Sequence, residues 1–307
     1  MSWRMNGTVV RVGQVSNYLV REHEGVVAHP NGRRVQYAVV GARDLSKVVF
    51  YSHGFPACRL EASIAHGVAR ELGITVVALD RPGFGGSDWY GGRRIEDWSE
   101  DVQLVANTLG VSTFGVLGVS GGTPTAVATA ALLPDRVSRL AVVSGMGPTH
   151  EPGALEGMHW VNKGLLKAGR RFGGFGQLTV GAIAVLWRTV PGAAEVWFAS
   201  VLPEADRPIV RRSEVGVVLA RNVKESLRPG VRGVMTEFSL LLSDWRELLS
   251  KVTVPTTIWH GDEDTYVPIS MAKILHKMIP QSRFEQVKGG GHFMIVDRLR
   301  PVLELFT

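Results

Sequence analysis

Five short, nearly continuous apolar runs most constrain how this chain can fold: KVVFYSHG (47–54), ITVVALD (74–80), FGVLGVS (114–120), LAVVSGM (140–146) and TTIWHGD (256–262). Such runs suit strands buried on both faces of a parallel sheet, because a half-exposed antiparallel strand would alternate polar and apolar residues. Helical patterns lie between them. Leu60, Ile64, Val68 and Leu72 recur at helical spacing before Gly73, and segments 97–109 and 123–133 read as further helices. Pro124 is tolerable there only in a first turn. Strand alternating with helix predicts an α/β fold with a doubly wound, mostly parallel sheet. A chain of 307 residues is long enough for one such domain and an insertion.

One interval breaks the rhythm. More than a hundred residues separate Met146 from Thr256, whereas a crossover needs about a dozen. The stripe Met235, Phe238, Leu242, Trp245, Leu249 predicts a single crossover helix over 235–249. Residues 148–236 are then an inserted helical unit, with 1–147 and 237–307 forming the core.

Charge and composition narrow the function. The net charge of +6 is mild and unclustered, which argues against a nucleic-acid partner. The densest basic stretch, NKGLLKAGRR (162–171), reads as the solvated face of a helix. Cys58 is the single cysteine, so no intrachain disulfide forms. The first residues lack the apolar core of a secretory signal. The longest apolar stretch, VGAIAVLW (180–187), stops at Arg188, far short of the about 20 residues a membrane helix needs. The expectation is a cytoplasmic protein without a membrane span, surface association through that stretch being the lesser alternative.

The chemistry concentrates in four places. Gly118-Val119-Ser120-Gly121-Gly122 fits G-x-S-x-G at a strand-to-helix turn, where glycines permit strained backbone and close approach. HGDEDTYVP (260–268) offers acids at the end of a strand, and KGGGHFM (288–294) places His292 on a glycine-rich loop. A serine nucleophile needs a histidine base, and the histidine needs an acid to hold its tautomer. An oxyanion intermediate needs two donors. One is the amide of Gly121, and the other comes from YSHGFPACR (51–59), where Pro56 has no N–H and Phe55 is left. His53 reads as a structural histidine and Cys58 as a small buried residue. His260, Asp262 and Asp264 lack a second cluster of ligands, so no metal is expected.

HGFP, DRPGFGGSD (80–88), GVSGG, HGDEDTYVP and GGGHF together resemble the α/β-hydrolase family, in the branch with an H-G-x-P oxyanion loop and a helical cap after the sixth strand. The resemblance covers about residues 25–307. It implies Ser120 as nucleophile, Asp264 as acid, His292 as base, and Phe55 with Gly121 as oxyanion donors. Asp262 and Glu263 are then bystanders. Dehalogenases and epoxide hydrolases of this branch carry aspartate where this chain has Ser120, and residues 148–236 contain no tyrosine for epoxide opening. Cofactor-free haloperoxidases usually carry methionine at the place of Gly121. What remains is acyl transfer to water on a small-molecule carboxylic ester, with lactones and thioesters as variants and no cofactor. A hydrolase-fold protein that binds a small ligand and turns over slowly is the alternative. Oligomeric state and physiological substrate are open.

Met158, Trp160, Leu165, Leu166, Phe172, Phe175, Leu186, Trp187, Trp197 and Phe198 make the inserted unit apolar. Some pack its own helices. With Met146 and Phe293 beside the triad, the rest predict a hydrophobic substrate pocket.

Overall fold

The computed structural model describes residues 3–5, 8–10, 23–190 and 202–307. Trp197 and Phe198 lie outside the described residues. Strands β1 (Trp3–Met5) and β2 (Thr8–Val10) pair antiparallel as a separate two-stranded sheet. The main sheet is built from β3 (His23–Ala28), β4 (Arg34–Gly41), β5 (Val48–Ser52), β6 (Thr75–Leu79), β7 (Phe114–Val119), β8 (Val137–Val143), β9 (Thr256–Gly261) and β10 (Ser282–Val287). Their order across the sheet is β10-β9-β8-β7-β5-β6-β4-β3. The run from β6 to β10 is parallel, and β4 and β3 close one edge antiparallel. The expected doubly wound α/β sheet is therefore present.

Every residue of β5, β6 and β7 is buried, as their unbroken apolar runs require. The edge strands β3 and β10 have no fully buried residue, and their mixed sequences HEGVVA and SRFEQV give no comparable signal.

The helices of the described residues are α1 (His66–Glu71), α2 (Trp98–Thr108), α3 (Thr123–Leu132), α4 (Trp160–Phe172), α5 (Gly174–Thr189), α6 (Arg207–Val210), α7 (Ser213–Ser226), α8 (Arg232–Leu241), α9 (Arg246–Ser250), α10 (Ile269–Met278) and α11 (Ile295–Leu303). The helix expected over 60–72 begins as a 3-10 turn, Arg59–Ala65, and continues as α1. One core cluster includes Phe50, Phe114, Val127 and Trp245; a second includes Tyr51, Leu117, Ile295 and Leu303.

The single crossover helix expected over 235–249 is not formed. The chain breaks between α8 and α9, where the Asp244 carboxylate accepts from the Arg246 N–H at 3.2 Å, a turn that competes with helix. The break serves packing. Phe238 and Leu241 join a third cluster with Phe84, Met146 and Leu166, while Trp245, Leu248 and Leu249 enter the main core. One straight helix could not reach both.

Residues Asp80 and Arg81, just after β6, knit loops to that scaffold in opposite ways. Asp80, fully buried, accepts from the Arg59 N–H and guanidinium at 2.7 Å each and from the Gly86 N–H at 2.8 Å. Arg81, equally buried, donates to the His53 and Gly54 carbonyls and pairs with Glu237 of α8 at 3.1 Å. Glu237 also pairs with buried Arg93. Two guanidiniums thus depend on one carboxylate. Glu237→Gln leaves excess positive charge in the interior, and breaking a buried pair in this way costs about 3–5 kcal/mol. Urea denaturation should register a loss of that order; a loss below about 1 kcal/mol would show that the charge is compensated elsewhere.

Candidate functional site

Ser120 stands at the C-terminal end of β7, beside the end of β5. The strand order reverses between these two strands, and crevices at such points are where α/β sheets bind ligands. Its φ is +52°, a conformation that costs a non-glycine residue of the order of 1–3 kcal/mol. The turn is held by its neighbours. The Ser120 carbonyl accepts from the Thr123 hydroxyl at 2.8 Å and the Met146 N–H at 3.1 Å. Gly122 is obligatory, since a Cβ there would stand 2.1 Å from the Ser52 carbonyl oxygen.

Three residues far apart in sequence meet here. The Ser120 Oγ is 3.0 Å from His292 Nε2, and His292 Nδ1 is 2.8 Å from Asp264 Oδ2. The other Asp264 oxygen accepts from the Tyr266 and Val267 amides at 2.9 Å each. Burial alone would push the Asp264 carboxyl up, but the charge of His292 and hydrogen bonds from His260 and His292 hold it at about 2. Burial likewise works against the His292 imidazolium, yet the adjacent Asp264 carboxylate raises its pKa above the ordinary value. Asp262 is exposed and accepts from the Gly289 N–H at 2.7 Å, which ties the His292 loop at its far end. Glu263 is exposed as well.

The loop after β5 lies against the Ser120 turn. A Cβ on Gly121 would come within 2.7 Å of Phe55 Cβ, so only glycine allows Phe55 and Gly121 to stand this close. Arg81 holds this loop by the His53 and Gly54 carbonyls and reaches the Gly121 carbonyl at 3.4 Å. His53 is fully buried and bonded through Nδ1 to the Gly54 carbonyl, and burial keeps its pKa well below normal. Cys58 is buried, with its N–H on the Asn222 side chain of α7 at 2.8 Å. Met146 belongs to the third core cluster, with Phe55 packed against it. Phe293 is half-buried, its ring edge-on to His292 at 5.5 Å. Of the aromatic residues expected to shape a pocket, Trp160, Phe172 and Phe175 instead face solvent, as does Leu186. The sequence stripe could not tell which side of each helix is turned inward.

Two acids at the site carried no sequence signal. Glu61 accepts from the Gly54 N–H at 2.6 Å, and burial pushes its carboxyl up to about 7. Asp206, between β8 and β9, is fully buried and accepts from the amides of both His292 and Phe293, at 2.8 and 2.7 Å. A Cβ on Gly291 would lie 2.3 Å from its carboxylate. The third glycine of KGGGHFM therefore makes room for an acid brought from another part of the chain.

The family model described as α/β hydrolase fold matches residues 47–188. A bifunctional esterase/perhydrolase from Acinetobacter calcoaceticus is 26% identical over 284 residues, 88% of this chain and 93% of that protein. Among solved structures, a bromoperoxidase from Bacillus anthracis is similar with a TM-score of 0.69 at 20% identity, covering 92% of this chain and 99% of that one. The enol-lactonase from Burkholderia xenovorans gives 0.62 at 20%, covering 92% and 97%.

Asp264, Asp206 and Glu61 all present negative charge to His292, and each favours its imidazolium. Asp206→Asn removes one of those charges while keeping a carbonyl to accept one amide. The His292 pKa should fall in that variant. Imidazole proton resonances followed against pH measure it directly, and an unchanged His292 titration would reduce Asp206 to a packing role.

Proposed function

From the premise that this chain belongs to the α/β-hydrolase family, we propose that it is a serine hydrolase cleaving a carboxylic ester of a small, largely uncharged hydrophobic molecule. The observation that carries the reading is the unbroken contact from Ser120 through His292 to Asp264, at 3.0 and 2.8 Å. In the proposed mechanism the Ser120 hydroxyl attacks the ester carbonyl while His292 Nε2 takes its proton. Asp264, ionised at any physiological pH, fixes the tautomer and stabilises the imidazolium. The amides of Phe55 and Gly121 are the proposed donors to the oxyanion. His292 then returns the proton to the departing alcohol, and water, deprotonated by the same histidine, releases the acid and restores Ser120. Lactones and thioesters pass through the same steps and are close variants of this reading.

Residues 148–236 act in this reading as a cap over the site. The third cluster supports that role, joining Leu155, Met158, Leu166 and Val180 to Phe84, Met146 and half-buried Phe55. An apolar lid above an acyl-transfer centre favours apolar acyl groups.

Ser120→Ala should cut kcat for a p-nitrophenyl ester by about 10⁶ with no loss of melting temperature, and a variant retaining a tenth of wild-type kcat would defeat the assignment. Asp264→Asn should cost orders of magnitude, Asp262→Asn little; the reverse ranking identifies the wrong acid. In wild type, kcat/KM should rise with pH through an apparent pKa above the usual histidine value of about 6.5, because only neutral imidazole accepts the proton. Burial pushes the Glu61 carboxyl up to about 7, and its charge, when ionised, adds to the rise at His292.

Acyl-chain length tests the substrate class. Each buried methylene is worth about 0.8 kcal/mol, close to fourfold in kcat/KM. The profile should climb from acetate toward butyrate or hexanoate and then level or fall. A flat profile, or preference for an anionic acyl group, counts against the hydrophobic pocket without touching the triad.

A further inference from the structure

The helical pair α4–α5 is built inside out. On α5 the buried positions are Gly176, Val180, Gly181 and Ala184, mostly small residues that let the helix approach α8 closely. A Cβ on Gly181 would come 3.0 Å from Met235 Sδ. The large residues point the other way. Phe175, Leu178, Val185 and Leu186 are 63, 65, 46 and 43% exposed. With exposed Ala182 they form one stripe along about three turns. A surface helix normally shows the opposite polarity.

Charge accompanies this stripe. Residues 160–189 hold five basic residues, Lys163, Lys167, Arg170, Arg171 and Arg188, and no acid. Trp160, 77% exposed, shares the outer side of α4 with exposed Lys167 and Arg171 at helical spacing, and the Arg171 guanidinium lies over the Phe172 ring. On the flank, Lys163, Lys167 and Arg170 line a shallow groove of about 290 Å³ with Glu151 and Glu156, and Glu151 is already paired with Arg246 at 2.8 Å, so basic charge predominates on this side.

We infer that the outer face of α4–α5 docks on the surface of an anionic phospholipid bilayer. Exposed aromatic and aliphatic side chains enter the headgroup boundary, and the basic residues meet lipid phosphates, as in helices that lie on membranes without crossing them. A second copy of this chain is the poorer occupant, because its identical face, with no acid in residues 160–189, would bring like charges together. The basic stretch and the apolar stretch, unremarkable separately in sequence, become one surface when α4 and α5 pack side by side. This inference does not depend on the esterase reading, since it concerns binding rather than turnover.

The test uses the full chain carrying Ser120→Ala, so that no lipid is consumed, in flotation with vesicles of phosphatidylcholine alone or with 30% phosphatidylglycerol (about these proportions suffice to set the surface charge). Binding should require phosphatidylglycerol and weaken at least tenfold at high salt. Leu178→Glu with Val185→Glu, both at exposed positions, should abolish it, and Lys167→Glu with Arg171→Glu should weaken it about tenfold, at unchanged melting temperature. Absence of vesicle binding overturns the proposal, as does equal binding to neutral vesicles. So does a dimer in solution that the Leu178→Glu, Val185→Glu variant dissociates, because the face then belongs to a second copy.

Discussion

The buried guanidinium of Arg81 is the point on which the rest of the site rests. It holds the loop carrying Phe55 by two carbonyls, reaches the Gly121 carbonyl beside Ser120, and is balanced by Glu237 on α8. Sheet, Phe55 loop, Ser120 turn and the helices between β8 and β9 are therefore joined through one planar cation. A charge this deep is costly to bury and persists only with its hydrogen bonds and partner in place. That demand makes the arrangement specific: a shift of α8 would leave both Arg81 and Arg93 without their shared carboxylate.

The environment of His292 follows the same logic from the other side. Asp264 holds one ring nitrogen while two amides hold Asp264, and Asp206 holds the backbone of the His292 loop. The imidazole is thereby oriented by groups from two separate segments of the chain. In the proposed mechanism this pre-arrangement matters more than any single contact, because a base placed in advance needs no reorganisation at the moment of proton transfer.

The segment between β8 and β9 divides its labour. Its inner residues close the third cluster over Phe55 and Met146, while α5 turns its smallest residues to α8 and its largest outward. Small residues at the inner contact let helices approach closely, and the outer stripe is what that choice leaves exposed.

The sequence by itself determined the sheet, because buried parallel strands must be uniformly apolar and β5, β6 and β7 are written that way. It also carried the Ser120 turn, since a positive φ and a close approach need glycines at fixed offsets, and it marked the loops holding Asp264 and His292. Edge strands such as β10 were hidden by their mixed composition, and the break after α8 was hidden because Phe238 and Trp245 keep helical spacing while entering different cores. Only the tertiary structure decided which distant side chain meets which. Asp206 lies 86 residues from His292, and Glu237 lies 144 from Arg93. It also decided which face of α5 is turned outward. Periodicity and turn chemistry are local and legible along the chain, whereas partners for buried charges and the inward face of a helix are chosen by packing across space, where sequence separation carries no information.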